Sequence, residues 1–207
     1  MHPVLEIQIK QYSDPVIIKL IEQYFRENKA ANIYLYLLQE QKTPLIIDHA
    51  AIRCLNIDQR AKEFIQMGYV YKNEMIEFPN QGWWAKVYRK DNHPALFIDQ
   101  DYADTEGSRS PITLWAKTFG DRVLHHIAVL VKNIDQTKKD MEQKGVEFSG
   151  DIIGASGTRL RQIFTLAEVR NGSAYTVLEL TERNQYEGFY PEQADGLMKS
   201  STKIKTH

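Results

Sequence analysis

Two histidines, His49 and His126, stand 77 positions apart in a chain that repeats itself at that spacing. DHAAIRCLNIDQ, which begins at Asp48, is echoed by HHIAVLVKNIDQ, which begins at His125. From His49 to Gly68, nine of twenty positions are identical to those from His126 to Gly145, without a gap. Imidazole is the commonest metal ligand and a base near neutral pH. A single histidine on a strand is ordinarily a hydrogen-bonded core residue; two at repeat-equivalent positions are another matter. If duplicated modules pack about a pseudo-twofold axis, equivalent positions meet across it, and two imidazoles converge on one ion. His125 is the competitor to His126, but it aligns with Asp48 and faces the other way, as an exposed or supporting residue. His93 lies in the turn-like KDNHPA, and His2 and His207 are terminal, so none of the three is expected to ligate.

Arg53 is where the copies part, because its counterpart is Leu130. Strand side chains alternate, so His49, Ala51 and Arg53 share a face. A guanidinium there is several ångströms from an ion at His49, placed to grip a carboxylate with two parallel hydrogen bonds. The alternative is an arginine salt-bridged at the rim of the sheet. In TVLELTE, Glu179 interrupts an apolar strand and points either to water or into a polar pocket. Arg161 and Lys86 are further candidates for an anion contact, with Arg159 and Tyr88 beside them and a solvated rim as the alternative. Asp99 is not expected to bind metal, and Cys54, opposite Arg53, reads as packing.

These residues need elements to hold them. HAAIRCL and HIAVLV read as strands. Each runs through NIDQ, where Asp58 or Asp135 can cap a helix that stops at Gly68 or Gly145. Strand-like segments follow: YVYKNEMIEF, WWAKVYRK and PALFIDQ in the first copy, VEFSGDIIG, LRQIFTLAEV and SAYTVLELTE in the second. The order is β-α-β-β-β, written twice. Upstream, Asp14 and Pro15 open one or two helices over roughly residues 14–41, with apolar residues at helical spacing. The expected division is 1–46 as an N-terminal helical segment, 47–104 and 122–184 as the modules, 105–121 as a linker and 185–207 as a tail, forming one compact domain. The tail around Phe189 to Met198 is placed to cover the site.

Hydrophobic residues at 43% and charged residues at 26% are a globular mix with enough apolar area for a core. A net charge of −1 gives no electrostatic reason to expect nucleic acid or an anionic membrane as partner. A single cysteine excludes an internal disulfide, and no apolar run approaches the roughly 20 residues of a membrane span. A cytoplasmic protein, monomer or homodimer, is expected.

Two β-α-β-β-β copies resemble the vicinal oxygen chelate superfamily over about residues 47–184. The resemblance implies an α+β fold in which paired modules form a half-open mixed-sheet barrel around a divalent metal, with ligands from first and last strands. On that reading Glu179 is the third ligand. Two histidines and a carboxylate are the facial triad of non-haem Fe(II) oxygenases, with positions left open for substrate and oxygen. The H-x-x-x-R of His49 and Arg53, together with GWWAKVYR, ALFIDQ, LRQIFT and QADGLMKS, resembles the 2-oxoadipate dioxygenase/decarboxylase family, whose best-known bacterial members are longer. Its members use Fe(II) and O2 to convert 2-oxoadipate to 2-hydroxyglutarate and CO2. The resemblance makes His49, His126 and Glu179 the iron ligands and Arg53 the clamp on the substrate carboxylate. Two other classes stay open: a redox-neutral enzyme of the glyoxalase or epimerase type, and a metal-free small-molecule-binding protein.

Overall fold

The computed structural model describes residues 1–103 and 110–205; the polar start of the linker and His207 lie outside the described residues. The chain forms two compact units, one of Met1–Asp48 with His126–His207 and the other of His49–His125.

The N-terminal helices belong to the first unit. A short α1 (Pro3–Ile9) opens at His2, whose ring accepts a hydrogen bond from the Val4 amide. In α2 (Pro15–Glu27), Ile17, Leu20, Ile21, Tyr24 and Phe25 form one buried stripe at helical spacing. Proline at its first position has no amide hydrogen to leave unsatisfied. A single extended residue, Asn28, separates it from α3 (Lys29–Gln41). The Asn28 side chain accepts from the Ala31 amide at 2.8 Å and donates to Thr176 Oγ1 at 3.0 Å. The sequence left one helix or two; Asn28, a good cap, makes it two.

The His49–His125 unit holds β1 (Ile47–Arg53, its first two residues counted with the other unit), α4 (Ile57–Gln66), β2 (Val70–Phe78), β3 (Trp83–Arg89), β4 (Ala95–Asp101) and α5 (Ile112–Phe119). Its strands lie in the order β2-β3-β4-β1. β1 and β4 are parallel, and the other neighbours antiparallel. Helix α5 falls in the stretch read as linker, where Pro111, the apolar spacing of Ile112, Trp115 and Ala116, and Gly120 frame a helix that has no side-chain cap.

The rest of the first unit runs through β5 (His126–Leu130), α6 (Ile134–Gln143), β6 (Leu160–Phe164), β7 (Val169–Arg170), β8 (Ser173–Ala174), β9 (Val177–Arg183) and α7 (Pro191–Ser200). Here the order is β5-β9-β6, with β5 and β9 parallel and β6 antiparallel to β9. Tyr24 donates from its hydroxyl to the Val177 carbonyl, so α2 is tied to the first residue of β9. In the tail, Leu197 of α7 packs against Phe164, Ala167 and Val177.

Helices α4 and α6 begin and end at residues that correspond in the repeat, down to glycines at φ +89° and +84° just past each end. Their caps differ from the expected aspartates. Asn56 and Asn133 accept from the amides of Gln59 and Gln136, while Asp58 and Asp135 sit inside the first turn. A cap must be the extended residue before the helix, and a carboxylate within the turn instead opposes the positive helix end.

VEFSGDIIG is not a continuous strand. It makes isolated bridges, Ile153 to Gln162 of β6 and Phe148 to Thr165 just past the end of that strand. Gly154, at φ +96°, turns the backbone so that an added Cβ would meet the Leu160 carbonyl oxygen at 2.4 Å. LRQIFTLAEV likewise stops as a strand at Phe164. A tight hairpin of β7 and β8 follows, turning on Asn171 and Gly172 at φ +54° and +74°, the asparagine-glycine pairing that a two-residue turn demands. Among the described residues no helix is long and apolar enough to cross a membrane.

Candidate metal centre and anion site

Strand register sorts the candidates by face. In the His49–His125 unit, His49, Ala51 and Arg53 stand beside Ala95, Phe97 and Asp99 on β4, and Phe97 and Asp99 beside Val87 and Ala85 on β3. His49 is buried, with its ring 4.8 Å from that of Phe97. Arg53 is buried under Trp115 of α5, its guanidinium 5.9 Å from the ring centroid, within cation–π range. Burial lowers the Arg53 pKa to about 10 against the opposing pull of Asp99 and Asp101, so it keeps its charge at neutral pH. Burial also pushes Asp99 up to about 7, although Arg53 and His49 hold it down. Asp101 accepts the Thr113 amide in the first turn of α5 at 2.9 Å and so seats the helix that carries Trp115. Neither rim exposure nor an isolated charge describes Arg53: it is an interior cation with carboxylates beside it.

In the other unit, β5 and β9 place His126 beside Val177 and Ala128 beside Glu179. His126 Nε2 lies 3.4 Å from Glu179 Oε2. Glu179 is 1% exposed, and a buried carboxylate is costly unless hydrogen-bonded. Its other oxygen, Oε1, accepts from Gln162 Nε2 at 2.5 Å and from Thr181 Oγ1 at 2.7 Å. Of the two readings open for Glu179, water or a polar pocket, the pocket holds. Phe164, beside Glu179 in the β6–β9 register, brings its ring to 5.0 Å from that of His126.

The two lesser candidates lie elsewhere. Arg161 pairs with Glu182 across β6 and β9, on the face opposite Gln162 and Glu179. Its guanidinium is held by both oxygens of Asp135, at 2.7 and 3.1 Å. Lys86 stands beside Ile98, on the face opposite Phe97 and Asp99, and pairs with Asp58 at 2.6 Å. Both side chains brace a strand to the first turn of a helix, α6 and α4 respectively. Tyr88 shares the Lys86 face, and Arg159 is exposed. His125, read as exposed or supporting, is buried, with its ring edge-on to Trp115 at 5.5 Å. Cys54 is buried as expected, its thiol pushed up to about 12 by burial.

Gln162, Thr181, Asp101 and Trp115 are the supporting residues that pattern reading undervalued. Gln162 sits one residue from the more conspicuous Arg161, and Trp115 lies in the stretch read as linker. Thr181 had a visible signal, since it lies two residues from Glu179 and therefore on the same face.

No family model and no curated protein matches the sequence. Solved structures do. Hydroxyglutarate synthase from Oryza sativa, in complex with 2-oxoadipate, aligns over 96% of this chain and 93% of its own, with TM-score 0.70 and 18% identity. A glyoxalase superfamily protein from Ralstonia eutropha aligns over 91% and 99%, with TM-score 0.64 and 12% identity. A triple variant of 4-hydroxymandelate synthase from Streptomyces coelicolor aligns over 77% and 56%, with TM-score 0.60 and 19% identity. What they share with this chain is the fold. It is α+β, with mixed sheets from two related modules, and it is the vicinal oxygen chelate fold.

Proposed function

We propose that the chain is a metal-dependent enzyme acting on a 2-oxo acid, with His49, His126 and Glu179 as metal ligands and Arg53 as the clamp on a substrate carboxylate. One observation carries this reading: His126 Nε2 lies 3.4 Å from Oε2 of Glu179, a buried carboxylate whose other oxygen is held by Gln162 and Thr181. The donor set fits a divalent transition metal, and two imidazoles with one carboxylate leave coordination positions for small molecules. Iron(II) is the metal that the facial triad favours. What such a metal supplies when bound is a Lewis acid for the 2-oxo acid and electrons for dioxygen.

The protein's own part is geometry and charge. His49, His126 and Glu179 fix the ion, with Glu179 steadied from behind by Gln162 and Thr181. Arg53, held charged inside the protein, orients the substrate by its carboxylate, and Trp115 keeps water from the guanidinium. The first candidate reaction is 2-oxoadipate plus O2 giving 2-hydroxyglutarate plus CO2, which balances in every atom. It is supported by the likeness to the Oryza sativa synthase, which was solved with 2-oxoadipate bound.

An oxygen electrode tests the reading. Iron-loaded protein should consume oxygen with 2-oxoadipate, with a stoichiometric yield of CO2, and His126→Ala should not. Uptake that persists in that variant would end this assignment. The likeness to a glyoxalase superfamily protein supports a second reading, a redox-neutral isomerase or lyase. Metal-dependent turnover of a substrate without oxygen consumption would select it.

A further inference from the structure

Resting on the metal reading above, we infer that Gln162 and Thr181 act as a lock that makes Glu179 a one-oxygen ligand, and so set how many coordination positions the metal keeps for substrate. Each carboxylate oxygen has about two in-plane lone-pair sites. On Oε1 both are taken, one by the Gln162 amide at 2.5 Å and the other by the Thr181 hydroxyl at 2.7 Å. Oε2 is the oxygen turned toward His126 Nε2. A glutamate free to rotate can bind through both oxygens and fill one further position. Anchored through Oε1, Glu179 would offer Oε2 alone, and the position it gives up would be left for a further small molecule beside a chelating 2-oxo acid.

The two copies of the module argue that this lock came with the acid. By register, the first-copy counterparts of Glu179, Thr181 and Gln162 are Phe97, Asp99 and Ala85. Where there is no acid to hold, neither donor is present. A general packing role for Gln162 and Thr181 does not predict that coincidence. Gln162 is itself fixed from behind, because its backbone exchanges both hydrogen bonds with Ile153. The donor therefore sits on rigid backbone, as a positioning residue requires.

The test is calorimetric titration of apo-protein with Co(II), following the visible absorption of the bound ion, for wild type, Thr181→Ser, Thr181→Val and Gln162→Met/Thr181→Val. Circular dichroism of each apo-protein reports its fold. Thr181→Ser keeps the donor and should bind like wild type. Thr181→Val should weaken binding, and the double variant should lose roughly 10- to 100-fold in affinity, with a changed absorption envelope as the carboxylate swings to bind through both oxygens. A folded double variant whose affinity stays within about twofold of wild type and whose spectrum is unchanged overturns the inference while leaving the metal site standing. Should the double variant fail to fold, Thr181→Val against Thr181→Ser decides alone, with equal affinities overturning it. Wild-type protein that takes up no Co(II) removes the metal reading itself.

Discussion

Glu179 occupies on β9 the register position that Phe97 occupies on β4, each standing beside an alanine of its module's first strand. The duplication is thus symmetric in backbone and asymmetric in chemistry. Both copies keep the histidine, one adds the acid, and the other adds Arg53 with Asp99 where its twin has Leu130 with Thr181.

Removing the acid should remove metal-linked stability. A ligand that binds only the folded state adds about 2.7 kcal/mol at 100 times its dissociation constant. Wild-type protein should therefore melt several degrees higher with excess Co(II) and lose that gain on chelation. Glu179→Ala should show no shift in the same thermal scan.

The interior charges predict a pH signature. Asp99 has its folded-state pKa raised from 3.8 to about 7, so its contribution to stability is full below pH 4 and is lost as pH rises through 7. Within that window stability should fall by up to about 1.4 kcal/mol per pH unit from this group. Urea denaturation of Asp99→Asn against wild type should show a difference that grows from pH 4 to 7 and then levels.

Arg53→Met removes the cation that Asp99 and Asp101 face and should destabilise the fold. Arg53→Lys keeps the charge but not the fork. It should fold, and its kcat/KM for a 2-oxo acid should fall by roughly 100-fold, about 2.7 kcal/mol of transition-state binding. A lysine variant with unaltered kinetics removes Arg53 from substrate binding.

Asn56→Ala and Asn133→Ala delete equivalent caps, and each should cost about 1 kcal/mol by denaturant titration. Their near-equality is the prediction, since the two helix starts share cap, bond and extended geometry.

Gly154→Ala should cost about 2 kcal/mol or more. It adds strain at φ +96° to a collision with the Leu160 carbonyl oxygen, which is backbone and cannot swing aside.

The repeat made β1, β5, α4 and α6 legible, because those elements are set by local pattern that the two copies spell twice. It also singled out His49 and His126. Glu179 needed more than pattern: alternation showed that it departs from the apolar face, but only strand pairing shows which side that is. The same gap explains Arg161 and Lys86. Each is a cation on a strand, and only the register reveals that it faces a helix turn. Gln162 and Thr181 were illegible as a pair because their meeting at Glu179 depends on how β6 slides against β9. VEFSGDIIG carries strand composition, yet the space left beside Leu160 at Gly154 decides its path.

Asn28 carries more than its size suggests. One small amide ends one helix, begins the next and grips Thr176, immediately before the strand whose third residue is Glu179. Mutational drift can rewrite the solvent face of both helices without reaching the acid. At this corner even a change to leucine, which keeps the branched shape but neither the donor nor the acceptor, would unmoor two helices at once and be felt first on the strand that carries Glu179.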